Sequence, residues 1–146
     1  MIGLLQRVRS AAVDVDGERI AAIGPGLLVL VGVRPDDAET DVRRLVERLL
    51  GYRVFTDADG RMNRSLREHG GGLLLVPQFT LAADTRRGMR ASFTTAAPPD
   101  AARRLFADVV NRARDEHHDV ACGRFGADMQ VSLINDGPVT FWLETR

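Results

Sequence analysis

Two short segments hold the residues best suited to chemistry. Pro77-Gln78-Phe79-Thr80-Leu81 follows the apolar run Leu73 to Val76, and Asn135-Asp136-Gly137-Pro138-Val139-Thr140 lies near the C-terminus. Each places polar groups and special backbone residues at the end of an apolar strand, where a pocket can form. Thr80 offers a hydroxyl that can attack an acyl carbon, orient a water or hydrogen-bond a substrate. It can equally be a β-branched residue serving a strand. The backbone N–H groups of Phe79 and Thr80 are natural donors to a developing oxyanion, and the Phe79 ring reads as core or pocket wall. In the second segment, Pro138 follows a bond type that tolerates the cis form, and Gly137 allows a close backbone approach. Asp136-Gly137 is also a hairpin signal.

Other chemistry is poorly represented. His69, His117 and His118 lie in polar stretches away from both segments, and the last two are placed to cap a helix C-terminus. No Gly-x-Ser-x-Gly elbow is present, and no cluster has metal-ligand spacing, so neither a metal nor a cofactor is predicted. Asp57-Ala58-Asp59-Gly60 reads as a surface turn because the rest of a calcium loop is missing. Gly70-Gly71-Gly72 leads into a strand with no Gly-Lys-Ser/Thr after it, which rules out a phosphate loop. Cys122, the single cysteine, permits no internal disulfide and reads as a small hydrophobe in a reducing, cytoplasmic setting.

The elements that must position these residues can be read from periodicity. Val13 and Val15 alternate with aspartates before the Asp16-Gly17 turn, and Gly24-Pro25-Gly26 is a second turn. Leu27 to Val33 reads as a strand buried on both faces. Asp36 and Glu39 resemble a capping box. Val42, Leu45, Val46, Leu49 and Leu50 then predict a helix ending near Gly51. Pro98-Pro99 opens a second helix with Leu105, Phe106, Val109 and Val110 on one face. Val120 to Phe125, Gln130 to Ile134 and Val139 to Leu143 read as C-terminal strands. The pattern predicts one α+β domain spanning residues 1–146, strand-rich, with sheets curled toward a barrel and two flanking helices.

The composition is that of an ordinary globular protein, with 45% apolar and 27% charged residues. No apolar run approaches the ~20 residues of a membrane span, and no secretory signal is visible. The net charge of zero argues against a uniformly basic polyanion binder, although a local patch stays available. The chain has no Lys, and its Lys and Arg positions are all Arg, which suits bidentate phosphate contacts but reads first as the coding bias of a GC-rich genome.

Together the two segments resemble the signature pair of the D-aminoacyl-tRNA deacylases. The resemblance extends to Met1-Ile2-Gly3-Leu4-Leu5-Gln6-Arg7-Val8, to Leu81-Ala82-Ala83-Asp84-Thr85 and to Gly123-Arg124-Phe125-Gly126-Ala127-Asp128-Met129. It implies hydrolysis of the ester between a D-amino acid and the terminal ribose of tRNA. Gln78, Phe79 and Thr80 would be the catalytic residues, with Thr80 positioning the substrate and the substrate's own 2′-hydroxyl assisting. It further implies that Gly137 and Pro138, joined by a cis bond, reach across a homodimer interface and reject L-amino acids by backbone exclusion, so that glycine leaks through. Pro77, Met129 and Arg7 would complete the substrate-binding set. The apolar C-terminal residues Phe141 and Trp142 would otherwise leave an exposed sheet edge. Arg86, Arg87 and Arg90 would contact tRNA phosphates, or else form a solvated loop.

The chain departs from the family at position 77, where Pro stands in place of the usual Ser and removes a hydroxyl and an N–H. That change keeps open a catalytically weakened relative that still binds tRNA ends, or a deacylase less strict about chirality. A smaller departure is Ala91, where Pro is common.

Overall fold

β1 (Ile2–Val15) is the strand on which the sheet is assembled. The computed structural model describes all of residues 1–146. Along one edge, the first half of β1 pairs antiparallel with β3 (Gly26–Gly32), and its second half with β2 (Glu18–Ile23). Along its other edge runs β8 (Gln130–Glu144), from Ile2 opposite Glu144 to Asp14 opposite Gln130. β6 (Gly72–Pro77) joins β3 in parallel, and β7 (Val120–Cys122) joins β6. β2 lies against β6 and β7, which curls the sheet toward a barrel. β4 (Phe55–Thr56) and β5 (Met62–Arg64) form a separate small ribbon.

Strand alternation divides the apolar residues between two layers. Leu28, Leu74 and Val76 point into the barrel with Val8, Val13 and Ile23. Leu27, Val29, Leu73 and Leu75 point the other way, under α1 (Glu39–Gly51) and α3 (Pro99–Glu116). All five apolar positions that predicted α1 are buried, as are the four that predicted α3. The barrel closes tightly where β3 and β6 begin. A Cβ on Gly26 would lie 1.9 Å from the Gly72 carbonyl oxygen, so only glycine fits there.

Four expectations need correction. The start of α1 is not an Asp36–Glu39 box. Its N-cap is Ala38, whose N–H donates to Asp41 Oδ2 at 2.9 Å, while Asp37 accepts from the Arg34 N–H at 2.6 Å. A third, short helix is present, α2 (Leu66–His69), in addition to the two predicted. Ser65 and Glu68 cap it reciprocally, and Gly70 ends it in the left-handed region at φ 75°.

The strand expected over Val120 to Phe125 stops at Cys122. Leu73 N–H donates to the Asp119 carbonyl, so alternate residues of β6 face β7. The next such position past Leu75 is Pro77, which has no N–H to extend the ladder. The Met129 sulfur fills the space left open by Gly123, where a Cβ would lie 2.8 Å from Met129 Sδ and 3.4 Å from Pro77 Cδ.

The two expected C-terminal strands are one strand, β8, with no hairpin between them. Both halves pair with β1 in the same direction: Val8 faces Asn135 and Gln6 faces Thr140. Between these pairs the single residue Arg7 faces Asp136, Gly137, Pro138 and Val139, so the second segment protrudes as a wide bulge.

Candidate active site

β6 delivers the first segment. Gln78 N–H donates to the Val31 carbonyl at 2.8 Å, and the chain then turns through a 3-10 helix over Phe79–Ala82. The first N–H groups of such a turn, those of Phe79 and Thr80, have no acceptor within it and stay free for a ligand. The turn separates two depressions. On one side is a cavity of about 470 Å³, lined by Pro77, Gln78, Phe79, Ala102, Phe125 and Met129 among others. Phe79 is 55% exposed, so its ring is a wall and not core, and the Phe93 ring packs against it, tilted by 51° with centroids 5.1 Å apart. On the other side is an open groove that Thr80 lines with Arg34, Asp84, Arg86 and Trp142. The Gln78 side-chain amide donates to the exposed Thr80 hydroxyl across the top of the turn.

The bulge in β8 is held from within. Asn135 Oδ1 accepts from the Val139 N–H at 2.7 Å, and Asn135 Nδ2 donates to Thr140 Oγ1 at 2.9 Å. Arg7 lies beneath, donating through Nε to the Asp136 carbonyl at 2.9 Å and through a terminal nitrogen to the Val54 carbonyl at 2.7 Å. The Gly137-Pro138 bond is cis, and Gly137 has φ 143°. Gly137 and Pro138 are exposed, so the tip of the bulge points to solvent.

The predicted residues therefore fall into separate groups. Pro77, Gln78, Phe79 and Met129 share the cavity. Thr80 faces the neighbouring groove. Arg7, Gly137 and Pro138 form a third group elsewhere on the same chain. Gly137 is beside Arg7, which pairs with Leu27, which pairs with Leu73. Three inter-strand steps and the length of β6 separate the bulge from Thr80, on the order of 20 Å. A pocket in which Gly137 faces Phe79 and Thr80 does not exist within one chain.

The electrostatics revise the arginine cluster. Arg86 makes a two-pronged contact with Asp84 at 2.8 and 2.9 Å, and these hydrogen bonds hold the Asp84 carboxyl well below the usual range. Arg87 and Arg90 are exposed and have no acidic partner. The histidines lie at the opposite end of β6. His117, the C-cap of α3, is buried and makes a 2.6 Å hydrogen bond to the Gly71 carbonyl. His69 stacks on Phe55 at 4.0 Å. Phe93, Ala102 and Arg103 were not singled out in the sequence. An aromatic residue within the polar stretch 84–95 was the available signal for Phe93.

Residues 4–144 match the family model described as D-Tyr-tRNA(Tyr) deacylase. The proteins named D-aminoacyl-tRNA deacylase from Alkalilimnicola ehrlichii and Thioalkalivibrio sulfidiphilus are 64% and 65% identical, covering 100% and 99% of this chain and 97% of each relative. A solved structure described as a c-Myc DNA unwinding element binding protein superimposes with a TM-score of 0.94 at 36% identity, covering 99% of this chain and 98% of the other. A probable eukaryotic D-amino acid tRNA deacylase shares the fold, with a TM-score of 0.83 at 20% identity over 98% of each chain. The fold and its paired segments are those of an aminoacyl-ester hydrolase. The chain belongs to the D-Tyr-tRNA(Tyr) deacylase family. No helix is long and apolar enough to cross a membrane.

Proposed function

We propose that the chain hydrolyses the ester of D-aminoacyl-tRNA as a homodimer, releasing the free D-amino acid and tRNA. The observation that carries this reading is the Phe79–Thr80 turn, which presents free N–H groups at the mouth of an aromatic-walled cavity. The terminal adenosine enters the cavity, where a flat base stacks against Phe79 and Phe125. The ester carbonyl then lies over the turn. Water adds to the carbonyl carbon, the Phe79 and Thr80 N–H groups stabilise the oxyanion, and the ribose oxygen leaves with a proton. Aminoacyl esters are activated, so positioning and oxyanion donors are sufficient without a covalent intermediate. Thr80, hydrogen-bonded by Gln78, orients the substrate and does not form an acyl-enzyme.

A second copy of the chain supplies the selector. The exposed Gly137-Pro138 tip of each bulge reaches the Phe79–Thr80 turn of its partner, and its backbone excludes the side chain of an L-amino acid. The separation of the two segments within one chain favours this arrangement, as does the unpaired outer edge of β8 with Leu133, Ile134 and Trp142 exposed. Such a filter reads little of the D side chain and admits glycine. Arg87 and Arg90 remain available for tRNA phosphates, whereas Arg86 is largely neutralised by Asp84. A tRNA substrate places the enzyme in the cytoplasm.

Pro77 favours one other reading. It lines the cavity where the family usually carries a hydroxyl, which fits a weaker or less chirally strict enzyme. Single-turnover deacylation of matched D-, L- and glycyl-tRNA separates the two. Rapid release from the D- and glycyl-tRNA with L-aminoacyl-tRNA intact is the expected outcome. Comparable rates on the D and L forms, or none on any, would favour the other reading.

A further inference from the structure

We infer that Arg103 binds the phosphate on the 5′ side of the terminal adenosine, an inference that rests on the cavity being the adenosine seat. Arg103 is on the exposed face of α3, directly after Ala102, which lines the cavity. Its guanidinium carbon lies 4.7 Å over the ring of Phe125, and one terminal nitrogen is 3.7 Å from where a Cβ on Gly126 would be. Phe125 and Gly126 both line the cavity. The guanidinium therefore lies at the cavity rim, beside the aromatic wall that stacks the base.

Its neighbours mark it out. Arg86 is engaged by Asp84, and Arg104 lies 3.8 Å from Asp108. Arg103 has no acidic partner, and its guanidinium lies over the Phe125 ring. Stacking on an aromatic face fixes the guanidinium plane and leaves its N–H edge free, so little side-chain freedom is lost when an anion binds. A nucleotide with its base against Phe125 carries its 5′ phosphate out through the mouth of the cavity. In a chain with no net charge, a pre-oriented, unpaired cation at that point suits one phosphate and no particular base.

Competition experiments test the assignment. Adenosine and adenosine 5′-monophosphate would be titrated as inhibitors of D-aminoacyl-tRNA hydrolysis by the wild type and by R103Q, R103K and R43Q. Arg43 is an exposed arginine of α1 with no acidic partner, and it controls for loss of charge. In the wild type the monophosphate should bind about tenfold more tightly than adenosine, the effect of one charge-assisted contact. R103Q should remove that advantage while binding adenosine as before, R103K should restore part of it, and R43Q should leave it intact. A wild type that does not distinguish the two ligands, or an advantage that survives in R103Q, overturns the assignment with the adenosine seat intact. If neither ligand competes although D-aminoacyl-tRNA is hydrolysed, the adenosine seat itself is wrong and the assignment falls with it.

Discussion

Thr80 and Phe79 are adjacent in sequence and face different spaces, the groove and the cavity. That division limits what the threonine hydroxyl can contribute. Thr80→Ala should lower the hydrolysis rate by about tenfold, the loss of one hydrogen bond, and leave the backbone donors working. Loss of all activity, or a trapped acyl-threonine, would show covalent catalysis instead. His69 makes a different residue-scale prediction. Burial, with the charge of Arg64 nearby, pushes its imidazole below the ordinary value of 6.5. The folded state thus favours the neutral ring. Its contribution to stability is complete above about pH 6.5 and is lost as the pH falls through the lower folded value. Carboxylates such as Asp41 and Glu68, also held low, act only below about pH 4, so the windows separate. His69→Phe keeps the stack on Phe55 and should flatten the fall in Tm between about pH 7 and pH 5. An unchanged fall would assign it to other groups.

The elements were legible wherever one periodicity ruled. Leu27 to Val33 showed a two-sided strand and Val42 to Leu50 a helix, because burial alone fixed those residues. Ser65 and Glu68 carried the signal for α2, yet four residues are too few to show a period. The bulge could not be read from the sequence. Asp136-Gly137 is a hairpin signal, and only the pairing of both halves of β8 with one strand overrides it. The site was legible as two segments, since their special residues are local. Their separation depends on strand order and so was hidden. Gly26 tests the closure of the sheet. Gly26→Ala drives a methyl into the Gly72 carbonyl and should destabilise the fold by at least the ~1–3 kcal/mol typical of overpacking. Denaturant titration would show this, and a midpoint equal to wild type would mean that β3 and β6 part easily.

At the scale of the whole molecule, the proposed dimer is tested at the outer edge of β8. Phe141 is committed internally, tilted against Tyr52 at 5.5 Å, whereas Ile134 is 58% exposed. Replacing both Leu133 and Ile134 by Lys places charge on that edge. We expect a folded monomer, by sedimentation and circular dichroism, that no longer hydrolyses D-aminoacyl-tRNA at micromolar concentration. A fully active monomer would exclude a selector supplied by the partner.

β1 also has a temporal consequence. It is made before every other strand of the sheet, but the strand that covers its outer edge, β8, is made after all of them. During translation β1 can close with β2 and β3 by local pairing, while its other edge waits for a partner more than a hundred residues downstream. A nascent chain therefore carries this edge of β1 open until β8 is made, the state in which strands of neighbouring chains are prone to associate. Arg7 can hold the Asp136 carbonyl only once β8 has docked, so the Gly137-Pro138 bulge gains its seat when that edge is covered.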